Sequence, residues 1–400
     1  MQQQKTFKLK KVSLIISLGL LAALLGGLVG VLSAGFLHFI EWGQHLLWEE
    51  LTSSLPLQAL LLTVLGGVLI GLCQRYLGDH PKGINEAFSE IRETGRLDYK
   101  HLPQGIITAS TSLIFGASLG PEAAIMDLMG GLGTWTGDVM RSFRKRFGLP
   151  EPNKSQNRVK NILQKWPTII AYIAGGLAFI KLLGGLYGGG LLDLSTHSFQ
   201  WTDLLWSIPL ALVGAAGGWL YLKLQDQISK WLTPFREKPV LRGILGGFSL
   251  GLTALFLPMV LFSGQHLLNP MFQQAAQLGF WLLCLTALAR LFLTGLMKAT
   301  GWKGGQFLPI MFAGAALGLS VSTLIPAIPA STAALSAMGA LVAVVLPKPA
   351  IALVLMALMF PIEYVGISVI SVGIVYLIKS LPNLVREPET QKAQAVIIHD

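Results

Sequence analysis

GASLGPEAA, residues 116–124, sets a carboxylate, Glu122, between two apolar runs. Gly120 permits a tight turn, and Pro121 fits the first turn of a helix, where its missing N–H costs nothing. Glu122 is therefore expected at a helix N-terminus, beside unpaired backbone N–H groups and about half a positive charge. Such an end binds anions. The turn residues Gly120, Pro121 and Ala123 are read as one side of an anion site. Glu122 is then a built-in anion that competes with a mobile one and leaves when protonated. An ionisable residue inside a span is costly, by about 2.5–3.5 kcal/mol on insertion scales, and so marks function. The same residues contain G-x-S-x-G, Gly116 to Gly120, the spacing of a hydrolase nucleophile. That motif needs a strand–turn–helix context and a His–Asp pair. The flanks here are apolar and helical, and no enzyme is expected.

Working outward, a second interrupted segment follows. GGQFLPIMF, residues 304–312, again reads as turn glycines leading into a helix. Gly305, Gln306, Phe307 and Leu308 are expected to bring free N–H groups to the same depth, with Phe307 as an apolar gate or wall. Short apolar segments broken by Gly and Pro are how transporters bring helix ends to the bilayer midplane. Each broken segment lies about 100 residues beyond the start of an apolar run, at Val12 and near Leu204. Two related halves follow: 12–195 and 196–382, with an N-terminal segment 1–11 and a short tail 383–400. Their inverted orientation is part of this expectation.

The rest of the chain is consistent with a bilayer. Of 400 residues, 52% are hydrophobic and 12% charged, against about 25% charged in soluble domains. Apolar stretches of about 20 residues recur, enough to cross roughly 30 Å of hydrocarbon. The 45 glycines suit helices packed closely in lipid. The fold class is all-α and polytopic. The net charge of +10 is no nucleic-acid signature, because the basic residues flank spans. Lys5, Lys8, Lys10 and Lys11 precede the first span, and a second block runs from Arg141 to Lys165. The positive-inside rule puts both in the cytoplasm, in a cell membrane. The run from Val12 to Ile40 is too long for a signal-peptide core and reads as an anchor. Cys73 and Cys284 lie in apolar runs with no metal or disulfide spacing.

GDHPKGINEAFSEI, from Gly78, has a turn-rich start and an amphipathic helical pattern. Its cation, Lys82, either holds an anion near a helix N-terminus or is a solvated loop lysine. Further charges in apolar surroundings are Asp127, Lys181, Asp193, Arg290 and Glu363. Asp193 is a candidate proton relay. The others read as structural ion pairs or interface residues.

Taken together, these motifs resemble the CLC chloride channels and chloride/proton antiporters. GASLGPEAA is similar to that family's G-x-E-G-P signature and GGQFLP to its G-x-F-x-P signature. GLVGVLSAGFLHFIEW, ALARLFLTGLMKATGWKGGQFLP and MGALVAVVLPKP add to the likeness, which runs from about Val12 to Leu381. The resemblance implies a CLC-like fold of two inverted repeats with discontinuous and re-entrant helices. It implies a homodimer with one pathway per subunit, a gating glutamate at Glu122, an anion contact at Phe307, and no cofactor. Chloride is the foremost ion, with fluoride and nitrate as alternatives, by channel or proton antiport. The departures are specific. Lys82 stands where the family has an anion-contacting serine, and Ala123-Ala124 follow Glu122 in place of Gly-Pro. The family's C-terminal tyrosine and inner glutamate have no clear counterpart, although Asp193 aligns loosely with the latter. This is the pattern of a divergent bacterial branch. Transport of an organic substrate, or a non-conducting membrane scaffold, remain the competing classes.

Overall fold

The computed structural model describes residues 2–52, 57–148, 166–183, 192, 194 and 199–380. Among them are fourteen α-helices and no strand. In chain order, α1 (Gln2–Gln44) is followed by α2 (Gln58–Leu77), α3 (Ile84–Thr94), α4 (Leu102–Ile114) and α5 (Glu122–Arg146). Next come α6 (Trp166–Leu183), α7 (Trp201–Leu232), α8 (Pro239–Ala254), α9 (Gln265–Gln273) and α10 (Ala275–Ala299). The chain continues with α11 (Phe307–Leu324), α12 (Ala330–Val345), α13 (Pro349–Met359) and α14 (Val365–Ser380). Six helical segments are long and apolar enough to cross a membrane, among them Ile16–Leu51, Trp201–Phe235 and Phe307–Leu324. The all-α, multi-span class expected from composition is what the chain forms.

The chain divides into two compact units. The first comprises Met1–Trp42, Glu86–Pro103 and Ile125–Gly188. Its core is small: Leu18, Ala22, Met140 and Ala171, with Phe143 and Trp166 against them. Gly26 and Gly30 of α1 lie against the backbone of Ala171 and Gly175 in α6, so closely that a Cβ on either would overlap a carbonyl oxygen. That is the small-residue contact of lipid-embedded helices. Asp138 gathers Arg96 and Arg141 at the charged end of α5.

The second unit comprises Gly43–Asn85, Gln104–Ala124 and Gly189–Asp400. Every residue of α12 from Ser331 to Val345 is buried, as is α11 from Pro309 to Ser320. A helix apolar on all sides belongs in a core, and these two form the centre of this unit. Glycines again set the helix spacing, with Gly67 of α2 against the Gly243 carbonyl of α8. One element was not expected from the sequence: α9, preceded by a short 3-10 turn at Pro258–Val260. The apolar stretch 242–262 breaks after Ala254 into this turn.

Candidate functional site

Two turns in the second unit are built alike. Helix α4 ends in a paired bonding pattern: the Gly116 amide donates to the Leu113 carbonyl and the Ala117 amide to that of Ser112. Helix α10 ends the same way, with Gly301 donating to Lys298 and Trp302 to Met297. Both glycines adopt positive φ, 89° and 88°, which an L side chain resists. This is the Schellman stop, which satisfies the last helical carbonyls and reverses the chain. Four residues beyond each stop stands another glycine, Gly120 or Gly305, and two residues later a new helix begins, at Glu122 or Phe307. Corresponding positions are 185 residues apart. The register therefore pairs Gly116 with Gly301.

The two tips meet. Gly120 and Gly305 form an isolated antiparallel bridge, with N···O distances of 2.8 and 2.6 Å. Irregular backbone at membrane depth must find partners inside the protein, and here it does. The Leu113 and Ile114 carbonyls accept from Gln44 and Trp48, at 2.9 and 2.8 Å. The Gly116 carbonyl accepts from the Phe262 amide, and that of Ser118 from the Thr294 hydroxyl.

The bridge sets Glu122 across the start of α11. Its Oε1 accepts hydrogen bonds from the Phe307 amide at 2.6 Å and the Leu308 amide at 3.2 Å. Those amides have no partner within their own helix. Oε2 is shielded from solvent and accepts no hydrogen bond. The carboxyl group lies so close over Gly120 and Gly305 that a Cβ on either would collide with it. A carboxyl group thus fills a niche made of two glycines and two helix-end amides.

The expected residues are distributed as follows. Gly120, Pro121, Glu122, Ala123, Gly305, Gln306, Phe307 and Leu308 all lie at or beside the bridge. Pro121 and Ala123 are buried, and Phe307 and Leu308 pack partly buried against the unit's core. Lys82 is half-buried in the loop before α3. Asp193 lies outside the described residues. Arg290, read from sequence as an ion-pairing or interface residue, is fully buried with other partners. It donates to the Met259, Leu261 and Phe262 carbonyls and lies 4.3 Å over the Phe312 ring. Ser118 is buried at the end of a helix-to-turn segment, and its Oγ has no hydrogen-bond partner, so the hydrolase spacing carries no nucleophile–base pair.

Tyr221, Lys298 and Thr294 were not singled out from sequence. Gln306 Oε1 accepts from the Tyr221 hydroxyl at 2.9 Å and from Lys298 Nζ. Thr294 holds the first tip. The available signal was spacing: Arg290, Thr294 and Lys298 recur every four residues in an otherwise apolar span, one face of a helix.

Comparison with known proteins agrees with this architecture. The chain is 27% identical over 362 residues, 80% of its length and 82% of theirs, to proteins named "Putative ion-transport protein YfeO" from Shigella flexneri and Shigella boydii. It has the fold of a slow cyanobacterial Cl−/H+ antiporter, with TM-score 0.71, 18% identity, and 96% and 98% of the two chains covered. A CLC-type fluoride/proton antiporter superposes with TM-score 0.67 at 17% identity, covering 91% and 95%. Residues 157–380, which include the Gly304–Phe312 turn, match the family described as "Voltage gated chloride channel". That range is more than half of the chain and carries the whole second tip, so this protein is a member of the voltage gated chloride channel family, a family of transport proteins and not of enzymes.

Proposed function

We propose that this protein carries small monovalent inorganic anions, chloride foremost, across the cell membrane, and that Glu122 is the gate. The supporting observation is the carboxylate seated on the Phe307 and Leu308 amides. A group of that charge and size occupies the place a dehydrated halide would take, since backbone donors can replace lost hydration in a dry constriction. Glu122 blocks the path while ionised. Protonation removes its charge, weakens its hold on the two amides and frees them for the mobile ion. The names of the two structural neighbours, one a Cl−/H+ and one a fluoride/proton antiporter, favour a coupled proton. In this reading the N-terminus is cytoplasmic and two copies assemble, each with its own pathway.

Purified protein in liposomes tests this. Chloride or fluoride efflux is followed with an ion electrode, and protons with a pH dye. Efflux is expected to rise as pH falls. Glu122→Gln is expected to keep efflux but lose its pH response and any proton movement. A Glu122→Gln variant with the wild-type pH profile would remove the gating role. Wild-type liposomes as tight as empty ones would favour the scaffold class.

A further inference from the structure

We propose that Asp79 and Lys303 are positioning residues: their ion pair clamps the second tip to the loop after α2, and the clamp sets how firmly the amides of α11 hold the Glu122 carboxylate. This rests on the reading of Glu122 as the gate, and it concerns groups that the gate itself does not use.

The second tip runs from the stop at Gly301 to Gly305, and its first three residues are all gripped by side chains or backbone of other elements. Gln74, near the end of α2, donates from Nε2 to the Gly301 carbonyl, and its own Oε1 accepts from Arg242 of α8 at 2.7 Å. The Trp302 indole donates to the Gly243 carbonyl at 3.1 Å. Lys303 is held twice. Its amide donates to the Ser112 hydroxyl of α4 at 3.1 Å, and its Nζ lies 2.7 Å from Asp79 Oδ1. The Lys303 side chain is only 16% exposed, whereas that of Asp79 is 82% exposed. An ammonium buried to that degree needs a partner, and Asp79 supplies it from the surface.

Two residues after Lys303 stands Gly305, whose bridge to Gly120 sets Glu122 across Phe307 and Leu308. A second tip free to shift weakens both hydrogen bonds to the carboxylate. Those bonds favour its charged form, so a looser tip lets Glu122 take up its proton at higher pH. The first tip is held by neutral groups, those of Gln44, Trp48, Phe262 and Thr294. The ion pair gives the second tip a hold of a different kind. Burial alone would raise the Asp79 carboxyl, but the charges of Lys303, Arg242 and His80 outweigh it and keep the group below its ordinary value. The pair therefore stays ionised from neutral pH down through the ordinary carboxylate range, and is lost only as pH falls through that lowered value. A change in the response near neutral pH then reports Glu122 and not the titration of Asp79.

The test is the pH dependence of chloride efflux from liposomes. Lys303→Met and Asp79→Asn are each expected to move the midpoint of that response to higher pH, by up to roughly half a pH unit, the most that a partly exposed pair supplies. Efflux at neutral pH should rise by up to roughly three-fold, the same shift read as a rate. The double variant should move the midpoint no further than the larger single, because the two residues act as one unit. Lys303→Arg, which keeps the charge, should stay near the wild-type midpoint. Unchanged midpoints in folded, monodisperse single variants, even with a lowered unfolding temperature, would overturn the proposal while leaving the gate standing. Shifts that add in the double variant would also sink it, since the two residues would then act separately. Asp79 lies at the surface, so Asp79→Asn tests the clamp even where Lys303→Met does not fold. Wild-type efflux that ignores pH would remove the reading of Glu122 and this proposal together.

Discussion

At the scale of single residues, the site depends on an absence of side chain. Gly120 and Gly305 both have ordinary negative φ, so alanine fits their backbone. The atoms that an added Cβ would meet are those of the Glu122 carboxyl group itself. Gly305→Ala is therefore expected to displace the carboxylate with the fold intact. Efflux at neutral pH should rise several-fold towards the Glu122→Gln level, with a flattened pH profile. A Gly305→Ala protein with wild-type pH dependence would show that the niche does not hold the gate closed. Glu122 was legible in sequence because Gly-Pro before an acid, at the start of an apolar run, specifies a helix N-terminus. That the segment carrying Phe307 reaches the same depth was expected from its turn glycines; which amides the carboxylate takes was not, since Phe307 lies 185 residues away and local physics cannot choose that bond. The role of Lys82 was likewise unreadable. A lysine in a turn-rich loop has too many accessible orientations for sequence to select one.

At the scale of elements, the repeated unit is a helix stop, a short extended tip and a helix start. It occurs once after α4 and once after α10. Sequence showed both starts and obscured the stops, because the two stop glycines sit in dissimilar surroundings, FGA and TGW. Helix packing carries its own test. Gly67 and Gly243 let α2 and α8 approach until a Cβ on either would overlap the carbonyl of the other. Gly67→Leu is expected to cost about 1–3 kcal/mol through overpacking, seen as a lowered unfolding temperature in detergent. Gly27→Ala, with open space around its Cβ position, is the control and should leave that temperature unchanged. Equal behaviour of the two would count against glycine-set spacing. The breadth of α12 burial was foreseeable from its uniform apolarity. The turn and short helix at 258–273 were not, because Arg290 organises that segment from a distant helix by binding three of its carbonyls.

At the scale of the whole molecule, the charge distribution predicts orientation. Two basic blocks flank the early spans, and the positive-inside rule places both in the cytoplasm. With Cys73 and Cys284 replaced, single cysteines at Gln3 and Asn153 should react with an impermeant thiol reagent only in inside-out vesicles. Labelling of either in right-side-out vesicles would reverse the assigned topology. The sequence by itself determined that the chain is a multi-span helical membrane protein with two interrupted segments and an acid at the start of a helix, because hydrophobic length, glycine and proline act locally. Only the tertiary structure decided that the two interruptions join through Gly120 and Gly305, and that the acid lies on the amides of α11. It alone attached Lys298 and Tyr221 to that place. Those pairings depend on which backbone groups remain unsatisfied once the helices have packed, and no single segment carries that information.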